Sequence, residues 1–288
     1  MKVAYYPGCS LHATARAYDE SIRAIAGPVG LELEEIDDWN CCGATAYMSV
    51  NEILSFTLSA RNLALAAKTG LPVVSPCSAC YTNLRKTEKY LAEMPHIKRK
   101  VGEALAAGGL HYDGGVVSKH LLQVVVEDIG LEKIRALVKR PLAGLKVAPY
   151  YGCQIARPLG IEESIDDPVM LDRLIEALGA IAVPYAMKTI CCGGALMGTR
   201  EEVALRLCRN LLLCAQGQKA DCIAVTCPLC QMNLDTYQGR VNSAYGTSFH
   251  IPVVYFSQLM GVAFGLGAKD VGLERSDVPA AALLRTGT

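Results

Sequence analysis

The run Val73-Val74-Ser75-Pro76-Cys77-Ser78-Ala79-Cys80-Tyr81-Thr82-Asn83-Leu84 decides how this chain is read. Pro72 to Ser75 is short and apolar, which predicts a buried strand. Cys77 opens a turn, and a helix is expected over Tyr81 to Glu93. The order is therefore strand, CxxC, helix. It returns in the second half of the chain. A predicted strand over Cys222 to Val225 leads to Cys227-Pro228-Leu229-Cys230, and the same Asn-Leu pair follows at Asn233-Leu234.

Working outward, the other cysteines repeat as well. Cys9, Cys41-Cys42 and Cys77/Cys80 stand in one half, and Cys153, Cys191-Cys192 and Cys227/Cys230 in the other. The intervening lengths are 31 and 34 residues in the first half and 37 and 34 in the second. The neighbours agree too: Tyr6-Pro7-Gly8 with Tyr150-Tyr151-Gly152, Gly43 with Gly193, and Arg61-Asn62-Leu63 with Arg209-Asn210-Leu211. A repeat of this length sets the reading of the whole fold. Cys208, Cys214 and Cys222 fall outside it and are expected to pack as small apolar residues.

Expected strands at Lys2 to Tyr6, Leu31 to Ile36 and Pro72 to Ser75 alternate with helices at Ala13 to Ala26 and Asn51 to Lys68. Asn51 is a plausible N-cap, and Gly70 stands just past the helix end. The second half repeats the order, with strands at 146–150, 180–185 and 222–225 and helices at 169–178 and 201–216. This alternation predicts two pseudo-symmetric, Rossmann-like α/β halves with mainly parallel sheets, residues 1–143 and 144–288. The segment from about Met94 to Leu142 is expected to be an ordered connection, helical over Lys119 to Ile129. The stretch Ile251 to Ala268 reads as a buried strand running into a helix, and the Ala- and Leu-containing tail as a segment that docks on a partner. Every cysteine group follows an expected strand. Ligands in open α/β sheets bind beyond the carboxyl ends of strands, so the groups of one half can converge.

Composition narrows the chemistry. The chain has 288 residues, 28 basic and 28 acidic side chains, 51% hydrophobic residues and 13 cysteines. A chain this long buries a core without disulfide staples. An odd cysteine count points the same way, toward metal or redox chemistry. Zero net charge argues against nucleic acid as a partner. With no secretory leader and no apolar run of membrane-spanning length, the expectation is a cytoplasmic chain without membrane insertion. No G-x-G-x-x-G follows a strand and no P-loop is present, so no NAD or flavin is expected on this chain.

Five thiols per half overshoot both a zinc site and a cubane iron–sulfur cluster, each of which takes four. Adjacent cysteines in extended chain point to opposite faces, so a CC pair suits two metal atoms better than one. The open readings are two zinc sites with a spare thiol each, a thioredoxin-like dithiol, two cubane clusters for electron transfer, or two less usual clusters with an extra thiolate.

The doubled C…CCG…CxxC pattern resembles the cysteine-rich CCG domain, and the chain as a whole resembles the family of heterodisulfide reductase B subunits. The closing Ser257-Gln258-Leu259-Met260-Gly261 and the segment Lys269 to Leu273 share in the resemblance. It implies two noncubane [4Fe-4S] clusters. One would use Cys9, Cys41, Cys42, Cys77 and Cys80, the other Cys153, Cys191, Cys192, Cys227 and Cys230. Both sets are complete. The implied activity is disulfide cleavage or formation, with two clusters facing one cavity, in a complex with a ferredoxin-like iron–sulfur subunit and a flavoprotein. Methanogen members often carry a histidine and a proline where this chain has Gln154 and Gly43. The run Tyr150 to Pro158 looks more like bacterial relatives, whose substrates include a protein-bound lipoyl disulfide. Gln154 and His120 are candidates for lining the cavity. The rival reading is a purely electron-transferring CCG subunit of a flavoprotein dehydrogenase complex.

Overall fold

The computed structural model describes residues 1–44, 46–157, 159–161, 163–280 and 283. The expected docking tail lies outside the described residues apart from Ala280 and Leu283. Two four-stranded sheets, parallel throughout, divide the chain. The first contains β1 (Lys2–Tyr5), β2 (Glu32–Glu35), β3 (Val73–Ser75) and β4 (Ser118–His120), in the order β2-β1-β3-β4. The second contains β5 (Lys146–Tyr150), β6 (Ile181–Ala182), β7 (Cys222–Val225) and β8 (Val253–Tyr255), in the order β6-β5-β7-β8. The architecture is α/β, and its two halves are copies of one topology.

Residues reach these elements for local reasons. Asn51 caps the Glu52–Ala67 helix by accepting from the Leu54 amide at 3.0 Å. Pro228 stands at the first turn of the Pro228–Asp235 helix, where the missing amide costs nothing. β1, β3, β5 and β7 are central strands, buried on both faces. Their apolar content follows from the helices that cover parallel sheets.

The structure departs from the sequence reading at two strands. The 94–142 segment is ordered, but it contributes a strand as well as helices. β4 occupies Ser118–His120, and only then do helical turns begin, with a π-helical stretch over Val124–Gly130. His120 therefore ends a strand and does not lie within a helix. The expected 180–185 strand shrinks to two residues, its last bond to β5 running from the Val183 amide to the Val147 carbonyl.

The halves share one core. The Arg16–Val29 helix of the first packs on the Phe256–Ala263 helix of the second, and buried residues of both belong to one continuous apolar cluster. Tyr18 stacks on Tyr255 with ring centroids 4.0 Å apart, and Ser21 Oγ lies 2.6 Å from Ser257 Oγ. The other face of the first sheet has its own cluster, built on Phe56, Leu63 and Leu84. Among the described residues no helix is long and apolar enough to cross a membrane.

Candidate iron–sulfur site

Each cysteine group sits just past the carboxyl end of a strand. Cys9 follows β1, Cys41 and Cys42 follow β2, and Cys77 follows β3. Cys153 follows β5, Cys191 and Cys192 follow β6, and Cys227 follows β7. Each group of five thus collects at one end of its own sheet. All thirteen thiols are free. Cys9 Sγ lies 3.9 Å from Cys41 Sγ, Cys42 Sγ 3.3 Å from Cys80 Sγ, and Cys192 Sγ 3.7 Å from Cys230 Sγ. Among the described residues no three ligating side chains gather tightly enough for a single metal ion.

The supports of each set repeat. Gly8 and Gly152 have φ of 74° and 72°, and a Cβ on either would come within 2.9 Å of Cys80 Sγ or Cys230 Sγ. Only glycine lets the first loop pass so near the last thiol. Gly193, at φ 96°, would meet the Ala204 Cβ at 2.8 Å, which explains the glycine after the second CC pair. Tyr6 OH donates to the Asn40 carbonyl and Tyr150 OH to the Ile190 carbonyl, both at 2.7 Å, fixing the residue before each CC pair. The Asn83 amide donates to the Cys42 carbonyl at 2.5 Å, and Asn233 to the Cys192 carbonyl at 3.3 Å. Asn62 clamps Asn40 from both sides, which gives the repeated Arg-Asn-Leu run a purpose in the first half.

Exposure repeats as well. In the first set Cys9 and Cys41 are exposed while Cys42, Cys77 and Cys80 are buried; in the second Cys153 and Cys191 are half-buried and the other three buried. Crowded thiols divide their protons unequally. Hydrogen bonds from Cys42 and Cys9 pull Cys41 down to about 2, while its bond to Cys41 pushes Cys42 up to about 12. Cys191 is likewise pulled down to about 2, by Cys153 and Cys192. The Gly193 amide donates to Cys191 Sγ at 3.3 Å and the Gly194 amide to Cys192 Sγ at 3.4 Å. Such a thiolate-stabilising set fits a metal cluster: many sulfurs, backbone donors and no disulfide.

The two sets meet at the seam between halves. Cys77 and Cys227 interact across it: Cys230, and after it Cys77, hold Cys227 well below the ordinary thiol range, and Cys227 pushes Cys77 well above it. Beside them Ser78 Oγ lies 3.3 Å from Thr226 Oγ1, and Thr226 Oγ1 donates to the Tyr151 carbonyl at 3.0 Å. Nothing in the cysteine spacing announces this contact.

A cleft of about 460 Å³ opens at the seam, lined by all five cysteines of the second set and by Ser49, Ser78 and Ala79 from the first half. None of the first set lines it, so this cavity faces one set rather than both. Gln154 is on its wall, and its carbonyl accepts from Thr82 Oγ1 at 2.8 Å. His120 is fully buried behind Ser78, with Nε2 3.5 Å from Ser78 Oγ. Its Nδ1 accepts from the Leu122 amide at 3.1 Å, and burial lowers its pKa to about 4, so the ring is neutral. Of the three unrepeated cysteines, Cys222 is buried in β7, Cys214 is half-buried, and Cys208 donates to the Cys192 carbonyl at 3.3 Å.

Comparison with known proteins agrees with this geometry. The cysteine-rich domain model named CCG matches residues 3–85 and 147–235, one copy per half. The chain belongs to this cysteine-rich family, in the doubled form found in proteins like the B subunit of heterodisulfide reductase. It is 33% identical over 94% of its length to a protein of Archaeoglobus profundus named as like that B subunit, covering 93% of that chain. It is 36% identical over 97% of its length to the 8-methylmenaquinol:fumarate reductase membrane anchor subunit of Wolinella succinogenes, covering 98% of it. A crystal structure of a hypothetical protein from Helicobacter pylori superposes with a TM-score of 0.77 over 96% of this chain, at 17% identity. The chain spans 52% of that protein, and the likeness is one of fold.

Proposed function

We propose that this chain is the catalytic iron–sulfur subunit of a heterodisulfide reductase-like complex, which cleaves or forms a disulfide. The observation that carries the reading is the doubled five-thiol set, the second copy of which opens to a cleft. Cys9, Cys41, Cys42, Cys77 and Cys80 would hold one noncubane [4Fe-4S] cluster. Cys153, Cys191, Cys192, Cys227 and Cys230 would hold the other. Bound there, such clusters supply electrons one at a time and iron able to accept a sulfur ligand. Reduction of a disulfide takes two electrons and two protons and gives two thiols, which matches a pair of one-electron centres.

The residues of the chain have distinct tasks in this scheme. Glycine amides and the two asparagines hold the thiols in place. Ser78 and Gln154 present polar groups to the cleft, and His120 orients Ser78 from behind. The division at 143/144 would give each half one cluster. Without a nucleotide-binding fingerprint, electrons would come through a ferredoxin-like iron–sulfur subunit from a flavoprotein, in the cytoplasm. Conventional exchange would need a free attacking thiol beyond the cluster ligands.

A second reading is favoured by the likeness to the fumarate reductase subunit. In it the clusters only relay electrons within a flavoprotein dehydrogenase complex. Anaerobic purification followed by iron, sulfide and zinc analysis comes first; zinc without iron or sulfide would overturn both readings. Cys41→Ser and Cys191→Ser should each remove the unusual cluster signal and viologen-driven disulfide reduction together. Full activity in either variant would end the catalytic reading. Clusters that cycle without any disulfide turnover would favour the relay.

A further inference from the structure

The charge of the cleft's walls bears on which disulfide or thiol it would receive. Among the described residues that line it, none is Asp, Glu, Lys, Arg or His. Apart from the cysteines, its polar side chains are neutral: those of Ser49, Ser78, Thr199, Tyr151 and Gln154. The rest of the wall is apolar or glycine, with Ala79, Ala195, Leu196 and Leu229 among its residues. Of these, Leu196 is 37% exposed, so part of the apolar wall is open to solvent. Arg157, the cation just beyond Gln154, is turned to an ion pair with Asp166 at 2.6 Å.

A sulfonate, phosphate or carboxylate entering such a space gives up water and finds no cation. An alkyl chain meets the opposite situation, because its own surface and the leucine walls leave water together. Ser78 then matters as a polar grip. His120 Nε2 and the Thr226 groups hold its hydroxyl from behind, at 3.3–3.5 Å, and it faces the cleft beside Cys227.

We infer that the cleft on the second cysteine set takes an uncharged, alkyl-type sulfur substrate and discriminates against anionic ones. This rests on the disulfide reading and names its substrate class. The test uses the anaerobically prepared holo-chain in its oxidised state, titrated with 1-hexanethiol or with 6-sulfanylhexane-1-sulfonate. Perturbation of the cluster EPR spectrum is the readout. The uncharged thiol should act at a concentration at least about tenfold lower, a difference of about 1.4 kcal/mol. In Leu196→Lys, which adds a cation to a partly exposed wall position, the gap should close or reverse. Equal or better response to the sulfonate in the wild-type chain would overturn the inference and leave the disulfide reading standing. A spectrum that responds to neither thiol would overturn the disulfide reading and this inference with it.

Discussion

A methyl group on Gly152 would lie 2.9 Å from Cys230 Sγ on a backbone at φ 72°. Both the contact and the dihedral oppose any side chain there, and a strained backbone of this kind costs about 1–3 kcal/mol. Gly152→Ala should therefore lower the urea midpoint and deprive the second set of iron while sparing the first. Gly8→Ala should do the reverse. Iron analysis with EPR on both variants checks this, and equal loading of the two sets in Gly152→Ala would contradict it. The candidate ligand residues are legible in the sequence because thiols at repeated spacing have few other uses. The tyrosines and asparagines that hold the CC pairs are visible there only as repeated letters. Their task depends on which carbonyl each side chain reaches, and spacing does not encode that. The pairing of Cys77 with Cys227 is hidden for the same reason.

At the level of elements, the fourth strand of each sheet ends in a matching device. The Gln123 side chain accepts from the His120 amide at 3.1 Å, and the Gln258 side chain from the Tyr255 amide at 2.9 Å. The sequence signal is His120-Leu121-Leu122-Gln123 beside Tyr255-Phe256-Ser257-Gln258, an N-cap followed three residues later by glutamine. It is masked in the first half because a three-residue strand gives no alternation to see, and the valines after it look helical. Gln258 also donates to the Val271 carbonyl at 3.0 Å while 1% exposed. Gln258→Ala leaves two buried backbone groups unmatched and should cost about 2 kcal/mol or more. Chemical denaturation of the variant measures it, and a change within about 0.5 kcal/mol would show the cap to be idle.

For the molecule as a whole, the common core decides how it comes apart. With Tyr18 on Tyr255 and Ser21 on Ser257, neither half can open without stripping apolar surface from the other. Unfolding of the cluster-free chain should be a single transition by circular dichroism and tyrosine fluorescence, and residues 1–143 alone should not fold. Two separated transitions would refute this. Its pH dependence has opposed parts. Burial raises Glu88 to about 7 and Asp235 to about 6, so the folded chain keeps protons that the unfolded chain has lost. Their contribution is present at low pH and fades as pH rises from about 4 to about 7. Burial lowers His120 to about 4, so its contribution fades as pH falls through that value from about 6.5. Glu88→Gln should gain stability over the wild-type chain as pH rises from about 5 to about 7, read from urea midpoints. Parallel curves would mean that Glu88 is not buried enough to matter.

The seam also bears on how such a chain could arise from one ancestral half. In a two-fold dimer of identical halves, the residue before one CxxC faces the residue after the first cysteine of the other, and both contacts must be the same. Here Ser78 follows Cys77 and faces Thr226, which precedes Cys227, whereas Pro76 and Pro228 hold the exchanged positions. No homodimer can have a hydroxyl pair on one side of its axis and prolines on the other. A single polypeptide that carries both halves is free of that constraint, so the surroundings of its two cysteine sets can differ.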